Sequence, residues 1–508
     1  MRQSQRRRGA SRAPRQVNAV AQRPWGQLRY RYRPVEIFSA DQIEAIHRTA
    51  LEILRDVGFK VLADEARALY RKAGFDVDDA TMRVRFDPDG IEALVAAAPS
   101  EFALRARNPE KSLRIGGPHA VFCSVGGPAY CMDLDGGRRR GTYAEMCDFM
   151  RLVQSLDILH QDGGGGFEAL DLPAETRHLD LFYANATILD KNWVPWNVGR
   201  EQTLDALNMA AISHRTDLAG LADAPVFCGI VNTNSPLQLD IPMAEGLITL
   251  ATHGQAVVVT PFTLAGAMAP VTLPGTLAQQ HAEAMAGIAL TQIVRPGAPA
   301  MYGGFSSNVD MRTGSPAFGT PEYAQAAQAS GQLARRIGVP FRSSNVTAAN
   351  APDAQAAYES MMSLWGAMMG QAHMIKHAAG WIGGGLTASF EKLIIDAEML
   401  QMMAAYCEPP PVDEASLAME AIRDVGPAGH FFGTVHTLER YETAFNAPLV
   451  SNWDNFETWV EKGSVTAEQR ANVIWKQLLA EFEPPPLDEG VDDGLKDYVA
   501  RRKLEMAA

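Results

Sequence analysis

The sequence predicts an α/β fold, a TIM (β/α)8 barrel that carries an N-terminal helical cap and a C-terminal helical extension. Three observations predict it. From about residue 120, short apolar or β-branched segments recur, a longer helical pattern follows each of them, and the pair repeats eight times. A doubly wound open sheet is the alternative. It is disfavoured because the glycine run at 163–166 lacks both the G-x-G-x-x-G spacing and the later acidic residue of a dinucleotide site.

The barrel elements follow one another in order between residues 119 and 407. Helical segments separate the strands, with apolar residues at spacings of three and four. Thr142 and Glu145 have the spacing of a capping box, and Thr320 followed by Pro321 is typical of a helix start. The predicted strands are 120–125, 157–162, 192–198, 225–231, 255–260, 299–305, 340–346 and 372–378.

The segments outside the barrel differ from one another in character. Residues 1–34 are strongly basic at their start and predict a disordered tail, with a targeting or RNA-contacting arm as the alternative. Residues 35–118 contain three helical patterns, of which the first begins with a capping box formed by Ser39 and Gln42. Residues 408–508 are helical and interrupted by prolines, and we expect them to pack on the barrel as an extension.

Composition excludes several classes of function. A net charge of −13 argues against nonspecific binding of nucleic acid. The sequence contains no apolar run of about 18 residues, so no membrane span is predicted. The five cysteines are odd in number, scattered and without a CxxC pair, so neither a disulfide framework nor a structural zinc site is expected. These features favour a cytoplasmic protein.

In a TIM barrel the chemistry lies where the strands end, and the residues at these ends are aromatic and polar. Aromatic faces attract cations, and quaternary ammonium groups are the usual ligand of aromatic cages. The structural alternative is that such aromatic residues only cover the core and that His377 is a hydrogen-bonded structural histidine. The aromatic candidates are Trp196, Phe262, Tyr302, Phe305 and Trp381.

Several catalytic signatures are missing from the sequence. There is no H-E-x-x-H, no G-x-S-x-G, no phosphate-binding loop and no close pair of carboxylates. His373 and His377 are four residues apart on one predicted strand and could face the same way, which leaves a zinc pair open as an alternative. We expect no protein-bound metal, because no further ligands accompany this pair.

The stretch GGFSSNVDMRTGSPAFGTPEY, at 303–323, resembles the trimethylamine methyltransferase (MttB-like) family of corrinoid-dependent methyltransferases. Further similarity lies in DQIEAIHRTALEILRDVGFKV, LPAETRHLDLFYANATILDK, DAQAAYESMMSLWGAMMGQAHMIKHAAGW and SFEKLIIDAEML. The resemblance extends from about residue 35 to about residue 485. It implies a TIM barrel enzyme that moves a methyl group from a methylated amine to the cobalt of a cobalamin carried by a separate corrinoid protein.

The founding members of the family use a pyrrolysine inside the barrel, and this sequence shows no such residue. The resemblance therefore implies the non-pyrrolysine branch, with a quaternary amine similar to glycine betaine, proline betaine or carnitine as substrate. A quaternary amine suits a site without a special electrophile, because the neutral tertiary amine that leaves needs no proton. In this reading Trp196, Tyr302 and Phe305 bind the cation, Asp162 or Asp133 adds charge, and His377 or Asn345 holds a substrate carboxylate.

The long segment after residue 303 follows the sixth predicted strand and is expected to form the rim where the corrinoid protein docks. Its candidate residues are Gly303, Gly304, Asn308 and Arg312, although Asp310 and Arg312 could instead pair to brace the loop. Two other functions stay open: a methylated-amine sensor without turnover, and an enzyme of the same family with a different methyl acceptor. The sequence does not identify a catalytic residue or exclude a homo-oligomer.

Overall fold

A computed structural model describes residues 20–507 and confirms the predicted barrel. The strands are β1 His119–Phe122, β2 Gln161–Asp162, β3 Asn192–Trp193, β4 Cys228–Thr233, β5 Ala256–Pro261, β6 Ala300–Gly303, β7 Phe341–Ser344 and β8 Met374–Lys376. The parallel ladder runs continuously from β4 through β8 to β1, β2 pairs with β3, and an isolated bridge between Cys123 and Gln161 joins β1 to β2. The doubly wound alternative is therefore wrong.

A helix follows each strand, as predicted. Both sequence caps are present: Thr142 and Glu145 form a capping box, and the Thr320 hydroxyl accepts a hydrogen bond from the Tyr323 N–H. The longest helix, α5 at Leu273–Val294, is buried over most of its length. The helices are α1 Tyr143–Ser155, α2 Arg177–Ile188, α3 Gly199–Ser213, α4 Ile241–Thr252, α5 Leu273–Val294, α6 Pro321–Arg336, α7 Ala354–Met369 and α8 Phe390–Tyr406, and a short additional helix spans Leu218–Ala222.

The lower half of the barrel interior is an apolar plug. An antiparallel hairpin, Glu101–Leu104 with Leu113–Gly116, extends the sheet next to β1 and closes the N-terminal end of the barrel. Because this end is filled with apolar side chains, any polar site must lie toward the C-terminal ends of the strands. The plug consists of Leu104, Leu113, Ile115, Val121, Cys228, Ala256, Val258, Met301 and Met374.

The N-terminal region packs around α5. The three predicted helices are present as Ala40–Glu52, Asp64–Lys72 and Pro88–Ala96, and the Tyr70 hydroxyl donates a 2.9 Å hydrogen bond to the Ala286 carbonyl of α5. A small sheet lies between these helices and was not predicted, because its strands are only two or three residues long. That sheet contains Phe59–Val61, Asp76–Asp78, Arg83–Arg85 and Gln238–Leu239.

The predicted disordered tail ends too late at residue 34. Residues 1–19 lie outside the described part of the chain, but residues 20–34 run along the body of the protein. Leu28–Arg29 pairs with β1, Val20 is buried, and the Tyr30 hydroxyl donates a 2.7 Å hydrogen bond to the Ala372 carbonyl. The short strand Leu28–Arg29 was not predicted, because arginines alternate with Tyr30, Tyr32 and other large side chains in this segment.

The C-terminal extension packs on α1, α2, α3 and α8 through its last two long helices, Ala467–Ala480 and Glu489–Ala507. Tyr498 donates a 2.7 Å hydrogen bond to Asp205 of α3, which fixes the final helix. The remaining helices are short: Glu414–Leu417, Met419–Val425, Val435–Leu438 and Phe456–Glu461. Among residues 20–507 no helix is long and apolar enough to cross a membrane.

Two histidines, the buried His160 and the half-buried His373, connect neighbouring barrel strands as neutral rings. The Nδ1 atoms of His160 and His373 accept 2.9 Å hydrogen bonds from the backbone N–H groups of Phe122 and Phe341, respectively. Their Nε2 atoms lie 3.0 and 3.1 Å from the carbonyls of Gly26 and Gly117, so each ring must carry its proton on Nε2. Burial lowers the pKa of each histidine to about 4.

We expect these histidines to make the protein sensitive to mild acid. Between about pH 6.5 and pH 4 these histidines bind protons in the unfolded chain but stay neutral in the folded protein. The free energy of unfolding therefore falls as the pH falls, by about 1.4 kcal/mol per pH unit for each ring. Urea unfolding at pH 7.5, 6 and 5 measures this slope. His160→Asn should make the slope shallower, whereas substitution of the exposed His430 should not. An unchanged slope in His160→Asn would refute the assignment.

Candidate functional site

An aromatic cluster lies at the C-terminal ends of β5, β6 and β8, with Phe305 at its centre. The Phe305 ring centroid lies 5.1 Å from that of Phe262, 5.8 Å from that of Phe318 and 6.3 Å from that of Trp381. The Trp381 Nε1–H donates a 3.1 Å hydrogen bond to the Thr347 carbonyl, which fixes the indole. Phe262, Phe305 and Trp381 are among the aromatic residues predicted for this face, whereas Phe318, at the far end of the loop, was not predicted.

The loop after β6 is more regular than its sequence suggests. Ser307–Val309 pairs with Pro316–Ala317, and Leu264–Ala265 completes a three-stranded sheet at the rim. This hairpin brings Phe305 and Phe318 from its two ends to the same cluster. The carboxylate of Asp310 accepts hydrogen bonds from the Arg312 backbone N–H and from the Thr313 hydroxyl. The expected ion pair between the Asp310 and Arg312 side chains is therefore replaced by a turn.

His377 joins the cluster and is held in an unusual conformation. Its φ of 54° lies in the left-handed region, which costs free energy for a residue other than glycine and is a mark of functional sites. Its ring lies 4.4 Å from that of Trp381 and 5.8 Å from that of Phe305, and its buried Nδ1 has no hydrogen-bond partner among the described residues. Burial, with the nearby charges of Lys376 and Arg342, holds the pKa of His377 well below its usual value, so the ring is neutral at pH 7.

Two basic side chains, neither of them predicted from the sequence, lie inside the barrel near this cluster. Arg342 of β7 stands in register with Met374, a residue of the interior plug, and its guanidinium carbon lies 5.1 Å from the centre of the Phe305 ring. Lys376 follows on the same face of β8, and its Nζ donates a 2.7 Å hydrogen bond to the Gly163 carbonyl. The detectable signal was a lone arginine within an otherwise uncharged strand, PFRSSNV.

Asp162 and Trp196 stand on the opposite side of the barrel mouth from β6. The carboxylate of Asp162 is fully buried and accepts hydrogen bonds from the Gly164 and Gly165 backbone N–H groups at 2.8 and 2.7 Å. Burial raises the pKa of Asp162, and these donors together with Lys376 oppose the rise. Trp196 packs beside Gly164, and within residues 20–507 its ring makes no contact with the rings of the Phe305 cluster.

Asn345 braces the site from behind. Its Nδ2 donates a 2.9 Å hydrogen bond to the Ala378 carbonyl and lies 3.5 Å from Asp396, which forms a fully buried ion pair with Lys392 on α8. Asp396 also accepts a 2.9 Å hydrogen bond from the Gly380 N–H. These bonds fix the turn that carries His377 and Trp381, so Asn345 positions the site through other groups.

The prediction that Tyr302 lines the pocket is wrong. Strand alternation turns its side chain away from the interior, where its hydroxyl accepts a 2.9 Å hydrogen bond from Gln280 of α5 and lies 3.4 Å from His281. Met301 takes the interior position instead. The presence of several aromatic residues at a strand end does not show which face of the barrel wall each of them occupies.

The predicted rim residues fall into two groups. Gly303 and Gly304 are buried in the barrel wall: an added Cβ would lie 2.2 Å from Thr260 Oγ1 at Gly303 and 2.8 Å from Ser330 Cβ at Gly304. Arg312 is exposed at the tip of the hairpin, and the half-buried Asn308 accepts a hydrogen bond from the Thr320 hydroxyl.

The possible zinc pair is not assembled. His373 lies at the lower end of β8, where both ring nitrogens contact backbone groups, whereas His377 lies among the aromatic rings at the upper end. Within residues 20–507, no group of three His, Cys, Asp or Glu side chains is placed to hold a metal ion.

Comparison with known proteins agrees with this architecture. A family model described as trimethylamine methyltransferase (MTTB) matches residues 3–507. The glycine betaine methyltransferase of Desulfitobacterium hafniense (strain Y51) is 36% identical over 95% of this chain and 99% of the relative. The trimethylamine methyltransferase MttB of Methanosarcina barkeri (strain Fusaro / DSM 804) is 27% identical over 92% of this chain and 94% of the relative.

The crystal structure of the Methanosarcina barkeri monomethylamine methyltransferase MtmB superimposes with a TM-score of 0.52 at 11% identity, covering 89% of this chain and 90% of that one. At this identity the similarity concerns the fold alone. The family match and the sequence relatives establish the family as well as the fold: this chain is a methyltransferase that belongs to the trimethylamine methyltransferase family.

Proposed function

We propose that this methyltransferase takes one methyl group from a quaternary amine, a compact betaine, and passes it to the cobalt of a corrinoid carried by a separate protein. The observation that carries the proposal is the ring cluster of Phe262, Phe305, Phe318 and Trp381 at the barrel mouth. Such faces attract a fixed cation with roughly 0.5–2 kcal/mol each. The relative named glycine betaine methyltransferase supports the substrate class.

The electrostatics of the site suit a quaternary substrate. Reduced corrinoid supplies a strong cobalt nucleophile that takes a methyl group by displacement. The leaving group from a quaternary ammonium is a neutral tertiary amine, so no side chain has to deliver a proton. His377, which is neutral at pH 7, fits this requirement. The protein's task is to bind the ammonium group, point one methyl outward and keep that geometry fixed.

The rim offers a docking surface for the corrinoid protein. Exposed apolar side chains stand on loops that follow five of the barrel strands, although single exposed residues of this kind are ordinary. Their position around one face, together with Asn308 and Arg312 of the hairpin, favours a protein partner at this face. These apolar residues are Leu134, Val198, Met268, Val271, Met311 and Leu386.

The proposal places the enzyme in the cytoplasm. Cys123, Cys131, Cys147, Cys228 and Cys407 are all buried free thiols, which supports a reducing compartment.

A substrate panel with cob(I)alamin tests the function. Glycine betaine, proline betaine, carnitine, choline and trimethylamine are each incubated with the enzyme, and the formation of methylcobalamin is followed by absorbance. We expect turnover of a betaine and none of trimethylamine. Tight binding of a betaine without methyl transfer, even to a corrinoid protein encoded beside it, would instead make the protein a sensor.

A further inference from the structure

The Arg342 guanidinium is a buried cation without an anion. Arg342 is 2% exposed, its Nε and Nη1 atoms are buried without hydrogen-bond partners, and no ion pair of the described residues includes it. A charged group with unused donors in a protein interior is costly unless something pairs with it. Because Arg342 lies on the interior face of β7, its unpaired hydrogen-bond donors face the barrel mouth.

The groups around Arg342 do not neutralise it. Burial raises the pKa of the Cys123 thiol to about 11 and that of Tyr323 to about 12, so both are uncharged at pH 7. Lys376 is a second basic group whose pKa is lowered by burial, and Asp162 is the carboxylate that interacts with it. Burial lowers the pKa of Arg342 to about 10, so its guanidinium stays charged at pH 7 and this charge has no ion-pair partner among the described residues. The Gln161 amide, in register with Cys123, is also buried with neither its nitrogen nor its oxygen bonded.

This positive site adjoins the cation-binding rings. Both regions contact the Phe305 ring: the Arg342 guanidinium carbon lies 5.1 Å from its centre, and Phe262, Phe318, His377 and Trp381 pack around the same ring. A ligand that satisfies both regions carries a negative group and a positive group within the width of one aromatic ring. An ammonium and a carboxylate separated by one carbon have this spacing, whereas a longer linker would move the ammonium beyond the rings.

We propose that Arg342, with Lys376 beside it, binds the carboxylate of the substrate and thereby selects a short betaine over quaternary amines that lack an acid group. The inference rests on the proposed function for the identity of the cation. It moves the carboxylate from His377 and Asn345 to Arg342, because His377 is neutral and Asn345 is used as a brace. A guanidinium can hold both carboxylate oxygens with two parallel hydrogen bonds, which neither of those residues can do.

Calorimetric titration tests the assignment without any corrinoid. Glycine betaine and tetramethylammonium are titrated into the wild type, Arg342→Gln and Arg342→Lys, with Arg48→Gln on the exposed N-terminal helix as the matched control. We expect Arg342→Gln to weaken glycine betaine roughly 30-fold, the scale of a lost charge-assisted pair. Tetramethylammonium should stay within about threefold, since it makes no such bond. The control should change neither ligand.

Arg342→Lys keeps the charge but loses the paired geometry, so its glycine betaine affinity should lie between the other two. It also serves as the test if Arg342→Gln does not fold, which thermal melting reports. Equal losses for both ligands, or none for glycine betaine, would overturn the assignment. If Arg342→Gln discriminates the ligands as expected but the wild type transfers no methyl group, the proposed function fails and the carboxylate site stands.

Discussion

Replacing Asp396 with alanine is expected to lower the free energy of unfolding by about 3–5 kcal/mol, because it leaves the Lys392 ammonium buried without its partner. Both side chains of this ion pair are almost completely inaccessible, and Lys392 retains only the 2.8 Å hydrogen bond to Ser360. The substitution also removes the acceptor of the Gly380 N–H. The turn that carries His377 and Trp381 should loosen, so methyl transfer should fall together with stability.

Urea unfolding of the single variant and of the double variant Lys392→Met, Asp396→Leu separates these effects. The double variant removes both charges and should recover most of the stability, because a packed apolar pair often matches a buried ion pair. It should not recover activity fully, since Gly380 still lacks its acceptor. A single variant as stable as the wild type would show that the ion pair is unimportant to the fold.

Replacing Phe305 with leucine is expected to weaken binding of a quaternary amine by about 5- to 30-fold, the range of one to two kcal/mol from a desolvated cation–π contact. Leucine keeps most of the apolar volume but offers no ring face. Phe305 should have the largest effect of the cluster because it contacts Phe262, Phe318, His377 and Trp381 at once.

Phe390→Leu is the matched control, because Phe390 packs with Phe149, Phe167 and Trp475 outside the cluster. It should lower the melting temperature and leave the dissociation constant unchanged. Titration of glycine betaine into both variants measures this. If the two variants bind alike, the aromatic cluster is a structural feature and does not bind the substrate.

The fold was predictable because apolar strand segments and amphipathic helical segments alternate eight times. Each parallel barrel strand needs a crossover helix that covers its outer face, so this alternation persists along the whole barrel. The site was less predictable. Tyr302 and Phe305 are three residues apart at one strand end, yet they face opposite sides of the barrel wall, and only the strand register decides between them. Arg342 was not predicted as a site residue, because a strand of four residues is too short for its sequence to show which face is interior.

Two further features depended on contacts distant in sequence. Residues 20–34 lack an apolar pattern of their own and become ordered against β1 and α8, so local composition predicted disorder. The hairpin after β6 is stabilised by its pairing with Leu264–Ala265, which a local reading of glycine and serine could not include.

The central claim is that the reaction requires a quaternary nitrogen, and the number of methyl groups removed tests it most directly. With glycine betaine and excess cob(I)alamin, methylcobalamin and dimethylglycine should form in a one-to-one ratio and the reaction should then stop. Dimethylglycine is a tertiary amine whose leaving group would need a proton that this site does not supply. Formation of monomethylglycine, or consumption of trimethylamine under the same conditions, would contradict the account.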